Sequence, residues 1–242
     1  MANFNTHLNT AVIATGLVST ALLSAQHINL NMALWLWFLG TIGGLLPDID
    51  SDNSSSLDTI FNILAFSAVL LVLRYITQNR LNEISFIDMI LAPIVVYGVM
   101  RYLVRPLFEK ITVHRGSCHS LLFVIFIALS TVQIIWQIND KTVTNAATNA
   151  WLSGVFILMG GLIHLLLDEL YSVDFSNVRI KRSFGTAIKI AQFDNRMITL
   201  VTIMSITGLI YKAPPTDNII KELSDWSKFQ LVNVNLKKHI HI

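Results

Sequence analysis

The chain has 242 residues, of which 53% are apolar and only 13% are charged, and its mean hydropathy is +0.60. Ordinary soluble domains carry roughly 25% charged residues, so this composition argues against a soluble protein and indicates a polytopic membrane protein. The net charge of +2 is too small to indicate a nucleic-acid partner, and the single cysteine excludes an internal disulfide.

Seven apolar segments are candidate membrane helices, because crossing a bilayer core takes about 20 mostly apolar helical residues. In chain order they are Leu8–Ala25, Met32–Leu46, Leu57–Thr77, Phe86–Val104, His119–Gln137, Asn149–Leu170 and Met197–Tyr211. No Lys or Arg precedes Arg74, so the first segment lacks the basic region of a secretory signal and is predicted to stay as a membrane helix.

The predicted fold class is all-α, a polytopic helical membrane protein with six or seven membrane segments in one bundle. Helices are expected because in lipid each backbone amide must find a partner within its own segment or in a closed barrel. The second and seventh segments are short, and whether 197–211 spans stays open. We predict a membrane-embedded domain over residues 1–211 and a polar, basic C-terminal tail over residues 212–242.

Histidines and aspartates stand at or near the ends of these apolar segments. They are His7, Asp48, Asp50, His114, His119, His164 and Asp168. If the first six segments all cross, chain parity puts every one of these residues on the same side of the membrane. That side carries eight Lys and Arg residues in its loops against three on the other, which by the positive-inside rule predicts a cytoplasmic face. The lysines of the tail make the totals equal if the seventh segment crosses.

The spacing and residue types of this set are those of metal ligands. His164 and Asp168 are four residues apart, which puts both on one helix face. They could chelate one metal ion, or the aspartate could orient a ligating histidine. Asp48 and Asp50 flank a single residue and could aim at one point. The set suffices for one or two divalent ions, and imidazole with carboxylate suits Zn, Mn or Fe better than Mg or Ca.

A metal in such a site could lower the pKa of a bound water toward about 7 and polarise an ester or phosphoryl oxygen. Asp48, Asp50 and Asp168 are therefore candidate catalytic carboxylates as well as ligands, although the general base is left open. Arg115 could present its planar guanidinium to a phosphate or carboxylate. Ser120 is expected to cap a helix, Cys118 to be a packing residue, and His27 to be solvated.

Four motifs carry a resemblance to a known family. They are Asn5-Thr6-His7, Gly44-Leu45-Leu46-Pro47-Asp48-Ile49-Asp50, His114-Arg115-Gly116-Ser117-Cys118-His119-Ser120-Leu121-Leu122 and Gly161-Leu162-Ile163-His164-Leu165-Leu166-Leu167-Asp168. Over about residues 1–175 the chain resembles the YdjM-like family of inner-membrane proteins, which are regarded as metal-dependent hydrolases. That family is distantly similar to zinc-dependent phospholipase C.

The resemblance implies a bacterial-type inner-membrane protein whose membrane-embedded domain, residues 1–211, is a metal-dependent hydrolase with phosphoesterase chemistry, acting on a phosphoester that could be lipid-linked. Membrane lipids are the expected partners. Two other functions stay open: a cation or metal transporter that uses the same His/Asp cluster, and a non-enzymatic membrane module with a structural metal site. A transporter would need polar groups at mid-membrane on several segments, whereas here they gather at helix ends.

Overall fold

The computed structural model describes residues 3–50, 55–79, 85–107, 118–139, 145–174, 179–180, 189–190, 196–216 and 219–229. The helices are α1 (Phe4–Ser24), α2 (Leu30–Gly43), α3 (Ser55–Asn79), α4 (Phe86–Val99), α5 (Leu121–Ile138), α6 (Ala146–Leu170), α7 (Arg196–Tyr211) and α8 (Ile219–Ser224). A 3₁₀ helix over Leu46–Asp50 follows α2, and a π-helical turn over Met100–Val104 continues α4. Two short strands, β1 (Val173–Asp174) and β2 (Arg179–Ile180), pair antiparallel.

The predicted class, an all-α helical membrane protein, is confirmed, and helices α1 to α7 coincide with the seven apolar segments. Four described stretches are long and apolar enough to cross a membrane: Phe4–Ser24, Met89–Leu107, Leu121–Ile138 and Ala146–Leu170. The apolar parts of α2, α3 and α7 are shorter, at Leu30–Gly43, Leu57–Leu70 and Arg196–Tyr211. The second and seventh segments, predicted to be short, are among these three.

Side-chain caps set where several helices begin. The Oδ1 atoms of Asn3 and Asn29 accept 2.8 Å hydrogen bonds from the amides of Thr6 and Met32, at the starts of α1 and α2. The Ser120 hydroxyl accepts from the Phe123 amide at the start of α5, which confirms its prediction as a cap. Such caps satisfy amides that have no partner within the helix.

Helix α6 is the centre of the bundle and packs on α5, α2 and α1. Of the 18 most apolar consecutive residues of α6, 56% are buried, whereas none is buried in the corresponding 18 residues of Met89–Leu107. Phe156 of α6 belongs to the same buried core cluster as Leu36 and Leu45, and Leu165 of α6 is also buried. Because α6 ends in His164 and Asp168, the most buried helix also carries the most promising pair of candidate ligands.

Glycines allow α2 and α6 to approach at backbone distance. A Cβ atom added at Gly160 would overlap the carbonyl oxygen of Gly40 and the backbone nitrogen of Gly44. One added at Gly43 would overlap the carbonyl oxygen of Ile157. Small residues at a helix interface permit this contact, which brings the end of α2 against the part of α6 that precedes His164.

The opposite end of the bundle, where α1 ends and α6 begins, contacts the chain after α7. Thr148 donates a 2.7 Å hydrogen bond to Glu222, and Trp151 donates to the carbonyl of Pro214 at 3.1 Å. His27 lies edge-on to Trp226, with 5.4 Å between ring centroids. The prediction that His27 is solvated is wrong for its Nε2 atom. This atom is buried and has no hydrogen-bond partner, because Trp226, which follows α8, packs against the imidazole ring.

Candidate metal centre

Five of the seven predicted residues come together where α1 begins and α6 ends. His7 lies in the first turns of α1, Asp48 lies in the 3₁₀ helix, and His119 directly precedes the Ser120 cap of α5. His164 and Asp168 occupy the last two turns of α6. Each residue therefore comes from an element that packs against α6 or belongs to it.

The elements hold these residues through local contacts that the sequence encodes. Pro47 follows α2 closely and cannot continue an ordinary helical hydrogen-bond ladder, so the chain turns into the 3₁₀ helix that presents Asp48. The amides of Leu121 and Leu122 at the start of α5 donate to the carbonyls of Lys189 and Ile190, at 2.9 and 3.0 Å. These bonds, together with the Ser120 cap, fix the backbone next to His119.

Asp168 is at the centre of the cluster. Its Oδ1 atom lies 3.2 Å from Nε2 of His7, and its Oδ2 atom lies 2.9 Å from Nε2 of His119 and 3.7 Å from Nε2 of His164. Asp48 closes the other side, with its Oδ1 atom 3.4 Å from Nε2 of His164 and 3.9 Å from Nδ1 of His119.

Four of these residues, Asp48, His119, His164 and Asp168, form a group that could bind a metal ion. One ligand atom from each lies within 4.8 Å of all the others. Zinc bonds to imidazole or carboxylate are about 2.0–2.2 Å long and the usual geometry is tetrahedral, so two ligand atoms of one ion are about 3.5 Å apart. Binding an ion would therefore bring the most widely separated of these atoms closer by about 1 Å. Among the described residues, this is the one such group.

The hydrogen bonding of His164 fits a metal ligand. Its Nδ1 atom lies 2.7 Å from the carbonyl oxygen of Gly44. A carbonyl can only accept, so Nδ1 carries the proton and, in the neutral ring, Nε2 presents a lone pair. That Nε2 atom is buried and makes no hydrogen bond. A buried lone pair facing two carboxylates is unfavourable unless a cation lies between them, and this arrangement of the second nitrogen is usual for ligating histidines.

His7 holds the ring of His164 in place. The two imidazoles stack with 3.6 Å between centroids and an interplanar angle of 11°. His119 approaches His164 edge-on, with 5.2 Å between centroids and 74° between planes. His7 is outside the group of four but contacts two of its members, so its geometry is that of a residue that orients ligands.

Replacing His7 by Phe should therefore weaken metal binding without removing a member of the group of four. Phe preserves the stacked ring but loses the contact between Nε2 and Asp168. Loss of such an outer partner typically lowers metal affinity about 10–100-fold, and we expect that range here. Titration of metal-stripped protein with Zn²⁺ against a competing chelator measures it. An unchanged dissociation constant would contradict an orienting role for His7.

Burial divides the cluster into an inner and an outer part. The side chains of His7, His164 and Asp168 are at most 1% exposed, whereas those of His119 and Asp48 are 16% and 21% exposed. A molecule that reaches the cluster from outside would therefore meet Asp48 and His119 first.

Two groups of the cluster, both outside the membrane-spanning helices, have shifted pKa values. Burial raises the pKa of the Asp48 carboxyl, but the imidazoles of His164 and His119 outweigh burial, so the pKa of Asp48 lies below its usual value. Burial lowers the pKa of His119, but the carboxylates of Asp168 and Asp48 outweigh it and raise that pKa. Both shifts favour the charged forms, in which protonated imidazoles supply the positive charge between the carboxylates.

The remaining predicted residues cannot be placed in the cluster. Asp50 ends the 3₁₀ helix, but its side chain lies outside the described structure, as do His114 and Arg115 altogether. Cys118 is buried in the core, as predicted for a packing residue. The carbonyl of Gly44 was missed as the partner of His164. The sequence signal was the Gly40 and Gly44 pair, which indicates close helix contact and therefore an accessible backbone.

The fold and the site define a helical membrane protein with a buried His/Asp group that could bind a metal ion. A family model described as "YdjM inner membrane protein" matches residues 1–206, and the chain belongs to this family. Searches of curated proteins and of solved structures return no significant match. The predicted family is confirmed, and its membrane character agrees with the apolar helices.

Proposed function

We propose that this protein is a membrane-bound, metal-dependent hydrolase that acts on an ester, above all a phosphoester that can be lipid-linked. The observation that carries the proposal is the buried, unbonded Nε2 atom of His164, held by Gly44 and facing the carboxylates of Asp48 and Asp168. This arrangement fits a divalent cation of the Zn, Mn or Fe type.

In this proposal Asp48, His119, His164 and Asp168 hold the ion. The ion supplies two effects when bound: it lowers the pKa of a water toward about 7 and polarises the ester or phosphoryl oxygen. His164 and Asp168 form the fixed inner part, because they are buried at the end of α6. Asp48 and His119 form the outer part, where the substrate approaches and where a carboxylate can accept a proton. Arg115 is proposed to contact the anionic group of the substrate.

The centre is proposed to face the cytoplasm, on the charge bias of the loops before the seventh segment, which comes from the basic loop after the sixth. Its position supports a hydrolase over a cation carrier. The four residues lie at the ends of α2 and α6 and before α5, whereas a carrier is expected to place such groups near the bilayer midplane. A hydrolase at a helix end can reach substrates of the membrane surface.

The test is a hydrolysis assay on the full chain purified in detergent. We expect about one equivalent of Zn, Mn or Fe by elemental analysis, and metal-dependent release of nitrophenol from bis(p-nitrophenyl) phosphate or of the headgroup from a phospholipid. A chelator should abolish the activity and added metal should restore it. Bound metal without hydrolysis of any ester would favour a structural site or, if the ion crosses proteoliposome membranes, a carrier. Substoichiometric metal would overturn the metal centre itself.

A further inference from the structure

A second polar cluster connects α3 with the end of α4. Arg101 donates from Nη1 to Oδ1 of Asp58 at 3.2 Å and to Oδ1 of Asn62 at 3.2 Å. Arg105, one turn further on, pairs with the same oxygen of Asp58. The guanidinium of Arg101 is thereby fixed through one nitrogen. Its Nε and Nη2 donors have no acceptor among the residues that the structure describes.

The surroundings of Arg101 are apolar and open. It lies in the candidate membrane stretch Met89–Leu107, where none of the 18 most apolar consecutive residues is buried. The neighbouring Tyr102 and Leu103 are 79% and 64% exposed, while the Arg101 side chain is 27% exposed. A charged residue in such a helix is costly, and near a helix end it reaches the headgroup layer of the bilayer. The π-helical turn that carries Arg101 is a form often found at functional sites.

The cluster lies at the same end of the bundle as the metal centre. The 3₁₀ helix that carries Asp48 packs against α3, and α3 packs against the π-helical turn that carries Arg101. Asp58 stands in the first turn of α3, soon after that 3₁₀ helix in the chain. Asp48 and Arg101 therefore lie on two elements that both pack against α3.

We propose that Arg101 is a second phosphate-binding residue, in addition to Arg115, which holds a membrane phospholipid by its headgroup at the same end of the bundle as the metal centre. Asp58 and Asn62 orient the guanidinium so that its remaining edge can donate two parallel hydrogen bonds to phosphate oxygens. The exposed apolar side chains around it suit the acyl chains of the same lipid. The proposal rests on the proposed function for the step that follows binding, but the binding itself does not depend on hydrolysis.

Binding can be measured without catalysis, on full-length protein stripped of metal in detergent. Dihexanoyl phosphatidylglycerol, a soluble phospholipid, and inorganic phosphate are titrated separately by isothermal titration calorimetry. We expect Arg101→Gln to weaken binding of the lipid about tenfold or more, which is the effect of losing charge-assisted hydrogen bonds. Arg196→Gln, a matched change at an exposed arginine of α7, should leave binding unchanged. If Arg101→Gln lowers the melting temperature, Arg101→Lys is used instead, because lysine keeps the positive charge but cannot donate two parallel hydrogen bonds to a phosphate.

Wild-type affinity in both Arg101 variants would overturn the proposal. Equal affinity for inorganic phosphate and for the lipid would assign the site to free phosphate and overturn its lipid part. If the lipid binds through Arg101 but is not hydrolysed after metal is restored, the proposed function fails while this inference stands. If the wild type hydrolyses bis(p-nitrophenyl) phosphate while Arg101→Gln leaves KM for the phospholipid unchanged, the inference fails and the proposed function stands.

Discussion

Replacing Asp168 by Asn is expected to remove bound metal and hydrolytic activity together. Asp168 contacts three imidazoles, those of His7, His119 and His164, at 3.2, 2.9 and 3.7 Å. Asn keeps the shape but loses the charge that a divalent cation requires. Loss of a residue that only orients a ligand lowers metal affinity about 10–100-fold, so loss of a ligand itself should lower that affinity more than about 100-fold. Losing several kcal/mol of charge stabilisation should lower the hydrolysis rate by about 10³.

Elemental analysis, a chelator-competition titration and the phosphodiester assay measure this effect. Glu169→Gln is the matched control, because it neutralises the adjacent carboxylate, which points about 100° away around the helix. The metal-free Asp168→Asn protein should melt within a few degrees of the metal-free wild type, since the substitution also removes a buried charge that is costly to desolvate. Wild-type metal content in Asp168→Asn would refute the assignment of Asp168 as a ligand.

Replacing Gly160 by Ala is expected to destabilise the bundle and, through it, the metal centre. The added methyl group would overlap the carbonyl oxygen of Gly40 and the backbone nitrogen of Gly44. Backbone atoms cannot swing aside as a flexible side chain can, so α2 and α6 must separate. We expect a loss of about 3 kcal/mol in the free energy of unfolding, near the upper end for overpacking. Because the carbonyl of Gly44 holds His164, metal affinity should fall as well.

Thermal unfolding in detergent and a zinc titration test both parts of this prediction. The control is Gly208→Ala in α7, where an added Cβ meets no atom within 4 Å. That change should leave metal binding unaltered and raise stability by about 0.5–1 kcal/mol, because alanine loses less backbone entropy than glycine in a helix. A Gly160→Ala protein as stable as the wild type would show that α2 and α6 are not in backbone contact.

The amino-acid sequence is enough to predict the helices and the residue types of the candidate metal ligands. Apolar segments of membrane length must be helical, because lipid offers no hydrogen-bond partners to the backbone, and the seven predicted segments are seven helices. The spacing of His164 and Asp168 put both on one face of α6, since neighbours four residues apart face the same way on any helix. Both are local properties of the chain, so apolar segment length and the residue spacing of a helix are enough to predict them.

How the candidate ligands come together is visible only in the tertiary structure. His7 stacks on His164, His164 bonds to the Gly44 carbonyl, and Asp168 lies at the centre of the cluster. These contacts join residues that are far apart in the chain. They depend on how closely α1, α2 and α6 pack, and glycine contacts set that distance for α2 and α6. The Gly40 and Gly44 pair indicates a close contact, but it does not identify the helix that makes it. The pairing of Arg101 with Asp58 and Asn62 likewise appears only when α3 and α4 lie side by side.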